Sequence, residues 1–169
     1  MKAVAWTAWR PLRLADPVPA QTLREQLDGG QAFRWNAAED CAWTGVFGRT
    51  VAGVRAGSNG LEWRGVVGVS TTEAALQSYL DAAGGQAGFV ETLPWRSDAV
   101  LRAAIAANPG LRILRQDPHE ALIGFLCSSN KRILQIRQMV AQLATTLGEP
   151  LGGGYHALPT WAQLAAATD

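Results

Sequence analysis

Asp117-Pro118-His119-Glu120, followed by Ala121-Leu122-Ile123-Gly124-Phe125-Leu126-Cys127 and then Ser128-Ser129-Asn130-Lys131-Arg132, reads as two helices and the joint between them. An acid at the N-cap, a proline at the first helical position and a glutamate three residues after the cap make a capping box, so a helix is expected to start at Pro118. Its apolar run ends at Ser128-Ser129-Asn130, residues that favour caps. Ile133, Ile136, Val140, Leu143 and Leu147 then recur at helical spacing. Together these predict a helical hairpin with a tight junction. Lys131 and Arg132 are expected in the first turn of the second helix, where the macrodipole and free backbone N–H groups disfavour cations. Breaks of a local rule often mark function. With Arg137 these residues would form a small anion site aimed at a nucleic-acid backbone, and the plainer alternative is a solvated helix end carrying exposed cations.

Upstream the pattern changes. Six of the seven tryptophans and most of the glycines lie in the first hundred residues, in short runs bounded by turn residues. Strands are expected at Ala3 to Trp9, Phe33 to Asn36, Ala42 to Phe47, Val51 to Ala56 and Leu61 to Val67, the last two joined by a Ser58-Asn59-Gly60 turn. Helices are expected over Thr71 to Ala82 and Ser97 to Ala107, before the Asn108-Pro109-Gly110 stop. Downstream, Pro159-Thr160 opens one more, with Trp161, Leu164 and Ala165 on its apolar face. The fold class is therefore α+β: one twisted antiparallel sheet, then helices.

The 169 residues suit one domain or two small ones. With 48% hydrophobic and 17% charged residues the chain is globular, and a net charge of +1 advertises no polyanion partner in bulk, so a nucleic-acid site must be local. No apolar run approaches the roughly 18 residues of a membrane helix. Cys41 and Cys127 are far apart, which argues against a disulfide framework or a zinc site and suits a reducing cytoplasm. His119 reads as an exposed first-turn residue and His156 as part of the Gly152 to Pro159 loop, neither with acids or cysteines at metal-ligand spacing; no metal or cofactor is expected. Cys127 reads as a small core hydrophobe.

Gly29-Gly30-Gln31-Ala32-Phe33-Arg34-Trp35 is the second candidate site. Paired glycines leave the backbone uncovered before an aromatic, basic strand, and a planar ligand could approach closely. The alternative is a turn into a strand whose Phe33 and Trp35 share a core face while Arg34 points the other way. Trp43 and Trp63 could stack on sugars or bases, although burial is the usual fate of so large a side chain.

Gly30-Gln31-Ala32-Phe33-Arg34-Trp35, Trp43-Thr44-Gly45-Val46, Leu114-Arg115-Gln116-Asp117-Pro118 and Phe125-Leu126-Cys127-Ser128-Ser129-Asn130, in that order, resemble the 8-oxoguanine DNA glycosylase family. Tyr155-His156 and Pro159 extend the likeness. The resemblance implies a twisted antiparallel sheet domain like that of the TATA-binding protein over residues 1–95, and the opening helices of an all-α glycosylase domain over 96–169. It also implies base-excision repair: a DNA N-glycosylase/AP lyase that extrudes 8-oxoguanine from duplex DNA, displaces the base with a lysine amine at C1′ and cleaves through the Schiff base. The implied partner is duplex DNA containing 8-oxoguanine, with no membrane, and the implied location is cytoplasmic, nucleoid-associated in a bacterium.

Carried over residue by residue, Gly30 matches the glycine whose carbonyl accepts a hydrogen bond from the protonated N7 of 8-oxoguanine. Unmodified guanine presents a lone pair there, a difference of ~1 to 3 kcal/mol when a buried acceptor loses its donor. Asn130 matches the asparagine that fills the space of the flipped base and contacts the estranged cytosine. Lys131, Arg132, Gln135 and Arg137 are the expected DNA-binding residues. Eukaryotic members commonly carry asparagines at Lys131 and Arg132, and the family often has a cytosine-reading arginine at Gln135, so a less strict opposing-base preference is expected. The resemblance places the nucleophilic lysine and its assisting aspartate in a C-terminal segment missing from this chain, which is expected to be truncated and inactive alone. The lysines agree: only Lys2 and Lys131 accompany thirteen arginines, which cannot form a Schiff base at neutral pH. A non-catalytic damaged-DNA binding module is the alternative, and a sugar-binding β module a more distant one.

Overall fold

The computed structural model describes residues 4–16, 18–38, 41–81 and 85–167. Elements follow in the order β1 (Arg10–Pro11), α1 (Ala20–Asp28), β2 (Trp35–Ala37), β3 (Trp43–Phe47), β4 (Thr50–Gly57), β5 (Gly60–Gly65), α2 (Glu73–Tyr79), α3 (Gln86–Thr92), α4 (Ala99–Ala107), α5 (Pro118–Ser128), α6 (Ile133–Leu147), β6 (Pro150–Gly152), β7 (Tyr155–His156) and α7 (Trp161–Ala166). The first five strands form an antiparallel sheet in the order β1-β5-β4-β3-β2, and β6 and β7 form a separate two-stranded ribbon.

Tight turns set the sheet's register. Phe47 pairs with Thr50 across Gly48-Arg49, where Gly48 takes a φ of 52° that a side chain would strain. Gly57 pairs with Gly60 across Ser58-Asn59, the expected hairpin. The expected strand from Ala3 to Trp9 is not continuous: Ala3 lies outside the described residues, Trp6 makes an isolated bridge to Val66, and pairing resumes at Arg10 and Pro11. Between these points the segment is held by the Thr7 N–H to the Gly65 carbonyl and the Val67 N–H to the Ala5 carbonyl, both at 2.9 Å, and by Arg64 over Trp6 and Trp9 and Arg55 over Trp9.

One sheet face carries Trp35, Phe47, Val54, Leu61 and Trp63, which pack with Leu23 and Leu27 of α1 and with Leu76, Tyr79 and Leu80. The Trp35 indole N–H donates to the Tyr79 hydroxyl at 3.0 Å, and Phe47 stacks on Tyr79 with ring centroids 4.3 Å apart. Burial drives the Tyr79 hydroxyl's pKa upward, so it stays a neutral part of the core. Leu114 joins the same cluster. A second cluster forms between α5 and α6 from Ile123, Cys127, Ile136, Val140 and Ala144, with Leu158.

Several boundaries differ from expectation. The helix expected over Thr71 to Ala82 runs only from Glu73 to Tyr79, with the Thr72 hydroxyl accepting from the Ala75 N–H; Ala82 lies outside the described residues. The helix expected from Ser97 starts after Asp98, whose carboxylate accepts from Val100 and Leu101 N–H groups at 2.9 Å. Helices α1 and α3 and the β6–β7 ribbon were not expected at all. Phe33 and Trp35 do not share one core: β2 begins at Trp35, and Phe33 leans on Gly124 in the α5–α6 cluster, where an added Cβ would approach its ring to 3.2 Å.

Candidate functional site

Helix α5 starts where the sequence places it. The Asp117 carboxylate accepts from the His119 N–H at 2.8 Å, with Pro118 in the first turn. Glu120, expected to complete the capping box, does something else: its Oε1 accepts from Arg34 Nη1 at 3.3 Å and from the Gly48 N–H at 2.9 Å. The reason is burial beside a cation, since the two side chains are only 12% and 9% exposed. A second Arg34 nitrogen donates to the His156 carbonyl. Burial pushes the Glu120 carboxyl above its ordinary range while Arg34 and the Gly48 N–H pull it back, and burial likewise lowers the Arg34 pKa against the pull of Glu120. One ion pair thus ties the β2 approach, the β3–β4 turn and the β6–β7 ribbon to the first turn of α5.

The Gly29-Gly30 loop lies beside this joint. Gly30 is exposed and has a φ of +95°, with nothing within 4 Å of where a Cβ would stand. A side chain would therefore fit the space and strain the backbone. Gln31 anchors the loop on one side: its amide N–H donates to the Arg112 carbonyl at 2.9 Å, its amide oxygen accepts from the Leu114 N–H at 2.9 Å, and its own carbonyl accepts from Gln116 Nε2 at 2.5 Å. On the other side the Asp28 carboxylate accepts from Arg137 Nη2 on α6.

At the α5–α6 junction, Asn130 is exposed and adopts a φ of 54°, a left-handed conformation that asparagine tolerates better than most side chains. Lys131 and Arg132 do not fall in the first turn of α6. The helix begins at Ile133 and Arg132 is its N-cap, because the Arg132 N–H donates to the Gln135 side-chain oxygen at 3.0 Å. The cations therefore stand just ahead of the helix, both exposed, so that solvent and salt screen them from its macrodipole. Gln135 is engaged as a cap and Arg137 as an ion-pair partner. Thus Gly30 lies on a loop fastened to α6 and to the 112–116 segment that leads into α5, and Asn130, Lys131 and Arg132 form the junction between the two helices.

The remaining candidates separate cleanly. Trp63 is buried under Arg10, and Trp43 packs partly buried against the sheet core. Cys127 is buried, and desolvation pushes its thiol pKa up, away from reactivity. His119 is half-buried rather than exposed: its Nε2 lies 2.7 Å from the Pro159 carbonyl and its ring meets Trp161 edge-on at 4.2 Å. His156 stands in β7. Among the described residues no group of three or more His, Cys, Asp or Glu could hold a metal ion, and no helix is long and apolar enough to cross a membrane. The Glu120–Arg34 joint and the Asp28–Arg137 pair were missed by sequence reasoning, which saw each residue only in its local context.

Residues 16–122 match the family model described as the N-terminal domain of 8-oxoguanine DNA glycosylase. The N-glycosylase/DNA lyase OGG1 of Arabidopsis thaliana is 31% identical over 170 residues, covering 95% of this chain and 45% of that protein. An N-glycosylase/DNA lyase of Saccharomyces cerevisiae is 41% identical over 61 residues, 34% of this chain and 16% of its own length. Among solved structures, MBOgg1 in complex with a low-affinity DNA ligand superposes with a TM-score of 0.75 at 32% identity, over 86% of this chain and 50% of that one. The Clostridium acetobutylicum 8-oxoguanine glycosylase/lyase, bound to double-stranded DNA with cytosine opposite 8-oxoG, gives 0.72 at 28% identity, over 86% and 50%. The chain spans about half the length of these fuller matches.

Proposed function

Because this chain belongs to the 8-oxoguanine DNA glycosylase family, we propose that it carries the lesion-recognition surface of a base-excision N-glycosylase/lyase acting on 8-oxoguanine in duplex DNA. The observation that supports this most is the open, left-handed Gly30 on a loop fastened to α6 and to the segment leading into α5, the two helices whose junction exposes Asn130, Lys131 and Arg132. A glycine in that conformation leaves its carbonyl approachable by a flipped base. Only the oxidised purine offers a proton at N7, so the same oxygen attracts 8-oxoguanine and repels guanine. Asn130 is suited to fill the vacated stack, and a side chain there offsets part of the few kcal/mol of unstacking. Lys131 and Arg132 serve the phosphates.

The lysine that displaces the base is a separate matter. Lys131 stands at the helix junction among the DNA-facing residues, where an ammonium positions a phosphate rather than reaching C1′, and Lys2 lies outside the described residues. In this reading the nucleophile comes from outside these 169 residues. The test is a titration of duplex containing 8-oxoguanine opposite cytosine, with guanine duplex as competitor, beside borohydride trapping. Preferential binding without a trapped adduct is expected. A covalent adduct would show that an amine of this chain is the nucleophile, and equal affinity for both duplexes would remove the recognition role.

Lys131→Ala makes a narrower claim. Losing one phosphate contact should weaken binding to lesion and undamaged duplex alike and reduce the slope of log K against log salt by about one. A changed lesion preference at constant slope would instead place Lys131 at the base.

A further inference from the structure

Asp28 stands where a local rule forbids it. It is the last residue of α1, and a carboxylate at a helix C-terminus faces the negative end of the macrodipole. Its partner is Arg137, 109 positions away on α6, whose Nη2 donates to Asp28 Oδ1. Arg137 was read from the sequence as a DNA contact, but its side chain is only 23% exposed and its Nε is closed off from solvent. With Nη2 on the carboxylate and Nε closed off, little of the guanidinium is left to meet a phosphate.

We propose that the Asp28–Arg137 ion pair is a strap that sets the Gly30 loop against α6, making Arg137 and Asp28 positioning residues for lesion discrimination rather than DNA contacts. The loop has no slack to absorb a shift at Asp28. Only Gly29 separates it from Gly30, and Gly29 turns so tightly off the helix that an added Cβ would come 2.2 Å from the Glu25 carbonyl. On the far side Gln31 is pinned to the 112–116 segment by three hydrogen bonds. The body of α1 is held by its core leucines and by Thr22 and Gln26, so the Asp28–Arg137 pair sets how the last turn of the helix, and with it the Gly30 carbonyl, stands against α6. Discrimination by one hydrogen bond is steep in distance, so a loosened loop loses selectivity before it loses affinity.

The proposal rests on the recognition reading for its DNA arm, and a second arm does not use DNA. Asp28→Asn, Arg137→Gln and the exchanged pair Asp28→Arg/Arg137→Asp are compared with the parent chain. Each single variant is expected to lower the affinity ratio of 8-oxoguanine duplex to guanine duplex about fivefold, the coupling of a partly exposed pair, with the salt slope unchanged; the exchanged pair recovers most of the ratio. If Arg137 touches a phosphate, Arg137→Gln reduces the slope by about one, Asp28→Asn tightens binding to every duplex, and the strap is wrong. In the free chain, amide hydrogen exchange at Gly29, which donates to the Glu25 carbonyl, and at Leu114, which donates to the Gln31 side chain, should quicken in both single variants and slow again in the exchanged pair. Unchanged exchange overturns the strap even where the parent chain prefers the lesion. Should the parent show no lesion preference, the recognition reading fails while the exchange result still decides the strap.

Discussion

Glu120→Ala is expected to remove about 3–5 kcal/mol of stability, the cost of breaking a buried ion pair and leaving one charge without its partner. Arg34 would keep its bond to the His156 carbonyl but lose the carboxylate that offsets its burial, and the Gly48 N–H would lose its acceptor. For a domain of this size that is a large share of a total near 5–15 kcal/mol. Arg34→Ala should cost a similar amount, and the double variant much less than the sum, because most of each loss is the orphaned partner. Urea unfolding of the four proteins measures this cycle. A loss below about 1 kcal/mol in both single variants would mean that the pair is hydrated and adds little. Glu120→Gln should fall between, since an amide oxygen can still accept from Gly48 and Arg34.

The same residue carries a pH signature of unusual sign. Burial sets the Glu120 carboxyl above its ordinary range, so between the unfolded and folded values the folded chain holds the proton more tightly. Its contribution to stability is then fully present below the unfolded value and declines as pH rises through the folded one, opposite to a carboxylate whose pKa is depressed. Glu120→Gln should flatten that part of the stability profile. Parallel profiles for the two proteins would assign the slope to another group.

What the sequence made legible was local. The Asp117-Pro118 start, the joint after Ser128 and the Ser58-Asn59 hairpin depend on residues within four positions of one another, and each is found where expected. Helix α1 escaped because its buried face is only half apolar: Leu23 and Leu27 alternate with Thr22 and Gln26. Those two are buried because partners more than eighty positions away accept their hydrogens, Pro109 from Thr22 Oγ1 at 2.8 Å and Arg112 from Gln26 Nε2 at 3.5 Å. Glu120 escaped for a related reason. Its capping role was the right local inference, and a cation 86 positions away outcompeted the helix end. Gly30 and Asn130 were singled out by motif order, and the structure adds a physical property common to both, a positive φ. Asp28 had no local signal, because α1 itself was not expected, and Arg137 was read as a DNA contact because its partner lies 109 positions away.

Gly45→Ala should be nearly as damaging as losing a core tryptophan. Gly45 on β3 pairs directly with Trp35 on β2, and the indole lies flat across it, so that an added Cβ would stand 2.2 Å from Trp35 Cδ2 and 2.4 Å from Cε3. Backbone pairing to Ala52 holds Gly45 from the other side, leaving the indole as the part that must move. Displacing it breaks the bond to the Tyr79 hydroxyl and the parallel contact with Phe47, and it opens a void among fully buried side chains. The expected loss is about 3–5 kcal/mol, the range for truncating a buried Trp or Phe to alanine, although the substitution adds an atom rather than removing any. Trp35→Ala alone should cost a comparable amount, and Gly45→Ala added to it almost nothing, because the methyl then occupies space the indole has vacated. Chemical denaturation followed by far-UV circular dichroism reads all four proteins without depending on the tryptophan that is removed. Additive losses would mean that the methyl is resisted by the β2–β3 backbone rather than by the ring, and a loss under about 1 kcal/mol for Gly45→Ala would mean that the strand yields instead of the core.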